Sequence, residues 1–220
     1  MMEEGRVRVN GAVVTELGVR VMPGQDVVQV DGKRVEDRAG STATWVAFHK
    51  PVGVLTTRAD PHGGATIYHL LPPEFRQLKY VGRLDKDAEG LLLLTDDGDV
   101  VHRLTHPSGE VEREYWVEVA GTVGPEVVPA LLQGVELGDG IAHALRAMVL
   151  DAGPVTSTLT VVLTEGRKRE VRRMMSAVGH HVLKLKRTRF GPVKLGDMEP
   201  GTCRDLSDEE MAALLGEAGA

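Results

Sequence analysis

A chain of 220 residues, 42% of them hydrophobic and with net charge −6, is long enough for one large domain or for a domain with a small appendage. Its single cysteine, Cys203, excludes an intramolecular disulfide and a multi-thiolate metal site, and no run approaches the ~18 apolar residues that a membrane span needs. The acidic start Met1-Met2-Glu3-Glu4 leads into no apolar segment, so a secretory or transit peptide is not expected and a reduced, cytoplasmic compartment is.

Residues 5–37 read as short strands and turns. Arg6-Val7-Arg8-Val9 alternates, Asn10-Gly11 is a strong hairpin turn, and Val27-Val28-Gln29-Val30 runs into Asp31-Gly32. The polar stretch from Glu36 to Thr44 reads as a linker, dividing the chain into residues 1–42 and 43–220. Strands and helices then mix. Val46-Ala47-Phe48 is a strand ending at Lys50-Pro51, Gly90-Leu91 to Thr95 a buried one, and Asp97-Gly98-Asp99 offers caps to a helix over Val100–Leu104. Glu114 to Val119 alternates as a strand, and Ser157 to Leu163 is another. Arg169 to Val178 has helical spacing through Val171, Met174, Met175 and Val178 and stops at Gly179; Val182 to Arg187 returns to strand alternation. Without a regular βαβ rhythm, the expected fold class is α+β, a mixed sheet flanked by helices, rather than a doubly wound parallel sheet.

The negative net charge argues at first sight against a nucleic-acid partner, but its distribution does not. Between Arg167 and Arg189 stand nine basic residues, Arg167, Lys168, Arg169, Arg172, Arg173, Lys184, Lys186, Arg187 and Arg189, against one acid, Glu170. Screening confines each charge to about 10 Å, so a local basic surface can bind phosphates on an acidic protein. A solvated helix face has the same composition.

The densest segment is Val81-Gly82-Arg83-Leu84-Asp85-Lys86-Asp87-Ala88-Glu89-Gly90-Leu91-Leu92-Leu93-Leu94-Thr95, where an arginine and several carboxylates stand just before a buried strand. Such a loop presents an acid at a cleft while the strand anchors it. The residues alone leave open a glycosidase-type acid/base pair, metal ligands, or plain loop solvation.

Gly82-Arg83-Leu84-Asp85-x-Asp87-x-x-Gly90-Leu91-Leu92 resembles the signature of ribosomal RNA pseudouridine synthases of the RsuA type. The likeness continues through Asp97-Gly98, His106-Pro107-Ser108, Glu112-Arg113-Glu114-Tyr115, the block Thr164 to Met174, Val178-Gly179 and Gly191-Pro192, in the family's order. Ala88 departs from the usual threonine, and Gly64-Ala65 from a common Arg-Pro. The resemblance implies a largely antiparallel central sheet and isomerisation of uridine to pseudouridine in ribosomal RNA, closer to the large-subunit 23S enzymes than to the 16S one. Asp85 matches the family's essential aspartate, the nucleophile or, on a glycal-type route, a base. Tyr115 matches the active-site tyrosine, which stacks on uracil or moves a proton, and Arg172 the arginine that pairs with the aspartate, here Asp85. Arg83 reads as a hold on the flipped nucleotide or as a structural partner of Asp87 or Glu89. Arg167, Lys168, Arg169 and Arg173, with Lys184, Lys186, Arg187 and Arg189 in the same groove, read as RNA contacts.

Residues 5–32 resemble the second half of an S4 RNA-binding domain whose helical first half is missing, which implies a truncated N-terminus or a start other than Met1. His102 and His106 are four apart with no further ligand in sight, and read as helix-face residues, not a metal site. The expectation is therefore a monomeric enzyme with ribosomal RNA as partner, no metal, no cofactor and no membrane. Its rivals are a non-catalytic RNA-binding assembly factor and a glycosidase-like hydrolase.

Overall fold

The computed structural model describes residues 1–16, 18–22, 25–34 and 43–217, in two compact units, Met1–Thr42 and Ala43–Ala220. Most of the segment read as a linker, Glu36 to Thr44, lies outside the described residues.

Turn chemistry builds the first unit. β1 (Val7–Val9), β2 (Ala12–Val13), β3 (Val28–Val30) and β4 (Lys33–Arg34) form an antiparallel sheet in the order β2-β1-β3-β4. Asn10 and Gly11 both have positive φ (50° and 83°), as do Asp31 and Gly32 (52° and 76°), the conformation a two-residue hairpin turn demands. Asn10 also clamps the return strand: its Oδ1 accepts from the Val27 amide at 2.8 Å and its Nδ2 donates to Asp26 at 2.7 Å.

In the second unit the strands are β5 (Trp45–Lys50), β6 (Lys79–Val81), β7 (Glu89–Thr95), β8 (Arg113–Ala120), β9 (Val135–Glu136), β10 (Ile141–Ala142), β11 (Arg146–Ala152), β12 (Thr156–Leu163), β13 (Val182–Phe190), β14 (Val193–Lys194) and β15 (Cys203–Asp205). The helices are α1 (Ile67–Leu70), α2 (Gly98–Thr105), α3 (Val127–Gln133), α4 (Glu170–Ala177) and α5 (Asp208–Glu217). Nine strands make one sheet, β11-β12-β8-β13-β7-β5-β15, with β14 on β13 and β6 on β7; β9 and β10 pair separately. The β13–β7 junction is parallel and the other pairs are antiparallel, so the sheet is mixed and largely antiparallel, as expected.

The apolar run Leu91–Leu94 is fully buried because β7 faces a core on both sides. Strand alternation sends Leu92 and Leu94, with Val46 and Phe48, into one cluster that includes residues of α1, α3 and α4. Leu91 and Leu93, with Trp45 and Ala47, join a second that includes residues of α2 and α5. Each leucine so buried contributes about 1.5–3 kcal/mol of transfer free energy. The parallel junction pairs Lys186 with Glu89 and Arg187 with Gly90. Gly90 is required there: its φ is +116°, and a Cβ would overlap the Arg187 main chain.

Candidate active site

The loop joining β6 to β7 is clamped by the end of β5 and the segment that follows it. Lys50 Nζ donates to the Ala88 carbonyl oxygen at 2.6 Å, the Gly53 amide to that of Lys86 at 2.7 Å, and Thr56 Oγ1 to that of Leu84 at 2.9 Å. Leu84 and Ala88 are buried, and the Ala88 amide closes a turn onto the Asp85 carbonyl oxygen at 3.1 Å. With the carbonyls from Leu84 to Ala88 tied down, the loop presents the half-buried Asp85 to a cleft of about 580 Å³.

β8 and β13 supply the opposing wall. Tyr115 lies in the cleft with 9% of its surface exposed, and the register places Arg187 beside it. Arg187 and Arg113 also line the cleft and flank the Phe190 ring, 5.3 and 5.1 Å from its centroid. Arg113 donates to the carbonyl oxygens of Val111 (3.0 Å), Thr164 (2.7 Å) and Leu104 (3.1 Å). Arg187 Nε donates to Leu91 at 2.8 Å. Burial pushes the pKa of both guanidiniums down. It also pushes Lys50 down to about 8, against the carboxylates of Asp85, Asp87 and Glu89, which pull it up.

The α4 end of the cleft begins at Arg169, whose φ of 52° lies in the left-handed region that non-glycine residues rarely occupy. That turn aims its guanidinium at Asp87, with bonds of 3.0 and 2.9 Å to the two carboxylate oxygens. The pair with Arg169, and then the charge of Arg172, hold Asp87 below the usual carboxylate range. Glu170, buried at the start of α4, accepts the Arg167 amide at 3.0 Å. Burial first, and the neighbouring Glu165 carboxylate, push its pKa up to about 7.

The resemblance implies a pair between Arg172 and Asp85; the structure pairs Arg172 with Asp87. Its Nε lies 3.3 Å from Asp87 Oδ2, Nη2 donates to the Asp87 carbonyl oxygen at 2.8 Å, and Nη1 to that of Val182 at 3.0 Å. Among the described residues Asp85 makes no ion pair within 4 Å, although its charge is felt by Arg169 and Arg172. The reason is local: the first turn of α4 meets the loop at Asp87, two residues beyond Asp85.

The basic run is not one open cationic groove. Arg187 is 2% exposed and belongs to the floor of the cleft, so it is not a surface contact for RNA. Alternation along β13 turns Lys184 and Lys186 to the other face, where they pair with Glu118 and Glu89, both at 3.1 Å. Arg189 pairs with Glu112 at 2.8 Å. Lys184, Lys186 and Arg189 are not among the residues that line the cleft, so the shared groove expected for them is not found. Arg167 is tied to Glu165 (2.9 Å) and Arg173 to Asp139 (2.9 Å). Arg83 and Lys168 line the cleft, exposed, with no ion pair among the described residues; Asp87 and Glu89, the alternative partners of Arg83, are engaged elsewhere.

Sequence reasoning missed Lys50, Thr56, Arg113 and Glu170. Lys50 had one visible signal, a lysine closing an apolar strand before a proline. Glu170, three residues after Arg167, has the spacing of a side chain that reaches back to an amide at a helix start. Among the described residues no three His, Cys, Asp or Glu side chains are placed to hold a metal ion. The cleft is lined by the Asp85 carboxylate, which makes no ion pair within 4 Å among the described residues, by the Tyr115 phenol and by the buried guanidiniums of Arg113 and Arg187.

Known proteins share this arrangement of sequence and fold. The RNA pseudouridylate synthase family matches over residues 44–177. An uncharacterised RNA pseudouridine synthase of Mycobacterium leprae (strain TN) is 43% identical over 98% of this chain and 85% of its own length. Ribosomal large subunit pseudouridine synthase B of Bacillus subtilis (strain 168) is 36% identical over 97% of this chain and 87% of its own. Among solved structures, a crystal structure of a pseudouridylate synthase superposes with a TM-score of 0.71 at 29% identity, covering 97% of this chain and 90% of that one.

Proposed function

The chain belongs to the RNA pseudouridylate synthase family, and from that premise we propose that it converts a uridine of ribosomal RNA, in the large-subunit 23S RNA, to pseudouridine. One observation carries the reading: Asp85, on a loop whose carbonyls are tied down, lines the same cleft as Tyr115 and makes no ion pair within 4 Å among the described residues. The large-subunit target is supported by the likeness to the Bacillus subtilis enzyme, whose name specifies that subunit.

The reaction breaks the N1–C1′ bond, turns the base, joins C5 to C1′ and, in net, moves the C5 proton to N1. The uridine first leaves its stack, at a cost of a few kcal/mol that phosphate contacts offset. Asp85 then supplies an anionic oxygen. On a covalent route it bonds to C1′ as N1 departs with the electron pair, or adds to uracil C6; on a glycal route it takes a proton from the sugar. Both need the carboxylate charged, fixed and free to reach the nucleoside. Tyr115 stacks on the uracil, a contact worth about 1–3 kcal/mol, and its hydroxyl assists proton removal. Arg172 acts as a positioning residue: by holding both the carbonyl and the carboxylate of Asp87, it sets the loop that carries Asp85.

Arg83 and Lys168, exposed at the cleft and without acidic partners among the described residues, are the first phosphate contacts, with Arg169 and Arg173 behind them. The N-terminal unit, with Arg8, Lys33 and Arg34 exposed on its small sheet, adds affinity for RNA in the manner of an S4 domain. The isomerisation consumes no co-reactant, and the enzyme acts as a cytoplasmic monomer without cofactor. The test is to incubate the protein with unmodified 23S and 16S ribosomal RNA and map pseudouridine chemically, beside Asp85→Asn. A 23S signal lost in the variant supports the proposal. Free uracil indicates a hydrolase, and RNA bound without product indicates a binding protein.

A further inference from the structure

A second pocket, of about 240 Å³, adjoins the cleft and shares Arg169 with it. Arg169, Arg172, Arg173, Ser176, His180 and His181 line it, and no carboxylate does. The acids that neutralise these arginines, Asp87 and Asp139, are not among its walls. Three guanidiniums therefore share two carboxylates, and the donors of Arg173 are not used up. Arg173 Nη1 reaches Asp139 at 2.9 Å, while its buried Nε and Nη2 have no hydrogen-bond partner among the described residues; Arg172 Nε lies 3.3 Å from Asp87 Oδ2. His180 Nδ1 lies 3.3 Å from the Ala120 carbonyl oxygen, which leaves Nε2 as the ring's other polar atom.

We propose that this pocket holds a phosphodiester of the RNA backbone adjacent to the extruded uridine. The inference rests on the reading of the cleft as the uridine site, and it names a contact point for the chain that carries that uridine. A phosphate suits the pocket because a guanidinium fork matches two of its oxygens, and because only an anion offsets a cluster with more arginines than acids. A base does not suit it: apart from the two imidazoles, no aromatic ring is there to stack on. The shared Arg169 puts the phosphate next to the reacting nucleotide.

Ser176 is exposed on α4 and His181 in the turn beyond it, so a charge can be placed at either rim without disturbing a core. The experiment measures binding of unmodified 23S ribosomal RNA transcript to the full chain across a salt series, for Ser176→Glu against Ser176→Gln, and for His181→Glu against His181→Gln. Each glutamate is expected to weaken binding about tenfold at low salt relative to its glutamine, through like-charge repulsion of the phosphate. Each is also expected to make the slope of log K against log salt shallower by about one. Equal affinities and slopes within both pairs overturn the proposal. The catalytic reading fails separately: wild-type protein that binds the transcript but forms no pseudouridine removes the role of Asp85 and leaves the phosphate pocket standing.

Discussion

Lys50 and Ala88 meet beneath the loop that carries Asp85, the ammonium donating to the carbonyl oxygen at 2.6 Å from a side chain with no solvent exposure. A buried cation held by main-chain oxygens is costly to solvate and strongly tied to its place. Lys50→Met keeps much of the volume and removes the donor, leaving the Ala88 oxygen unsatisfied. A loss of about 1–3 kcal/mol in urea unfolding is expected, with a drop of about 100-fold in single-turnover rate as the Asp85 loop loosens. Burial depresses this lysine to about 8 from an ordinary 10.5, so between those pH values the unfolded chain binds more protons than the folded one. Stability therefore rises with pH through that window in the wild type, and the rise is smaller in Lys50→Met. Identical pH–stability curves for the two proteins refute the assignment.

Glu170 has the opposite linkage. Its carboxyl is pushed up to about 7 from 4.5, so the folded state holds the extra proton, and stability contributed by this group is lost as pH rises from 4.5 through 7. Glu170→Gln keeps an acceptor for the Arg167 amide and cannot ionise. Its melting temperature, relative to wild type, is expected to be higher at pH 8 than at pH 5. A constant offset across that range would rule this out.

Asp87 separates the loop's geometry from its charge. The pair it forms with Arg169 is exposed and contributes no more than about 1 kcal/mol to stability, yet the same carboxylate draws Arg169 and Arg172 onto the loop. Asp87→Ala is expected to unfold within about 1 kcal/mol of wild type, to bind ribosomal RNA more tightly at low salt, and to turn over at least about tenfold more slowly. Filter binding and single-turnover assays measure the two effects. An unchanged rate would show that Asp87 does not set the position of Asp85.

Arg83 and Lys168 differ from Lys184, Lys186 and Arg189 of β13 in having no acidic partner among the described residues. Replacing either by alanine is expected to reduce the salt slope of RNA binding by about one. Lys184→Ala and Lys186→Ala, which release Glu118 and Glu89 on the other face, are expected to leave that slope nearly unchanged. Equal slopes for all four variants would place RNA on both faces of the sheet.

Local chemistry made much of the fold legible in the residues themselves. Asn10-Gly11 and Asp31-Gly32 dictate hairpin turns through their tolerance of positive φ, and Asp97 caps α2 by accepting from the amides of Asp99 and Val100, both at 3.1 Å. The period of Val171, Met174 and Met175 fixes α4 and its buried face, and the ordered blocks around Asp85, Tyr115 and Arg172 were enough to identify the family. These signals act within a few residues, or repeat a pattern kept in order along the chain. The partners of charged side chains obey no such rule. A run from Arg167 to Arg189 reads as one basic surface, yet β13 lies between β8 and β7, so Arg187 is buried while Lys184 and Lys186 face away. Arg172 meets Asp87 instead of Asp85 because that choice depends on where a helix crosses a loop some 85 positions away in the chain. Only the assembled sheet decides which charges share a dry cleft and which are neutralised at its rim, because Coulomb energy depends on distance and burial, and sequence order specifies neither.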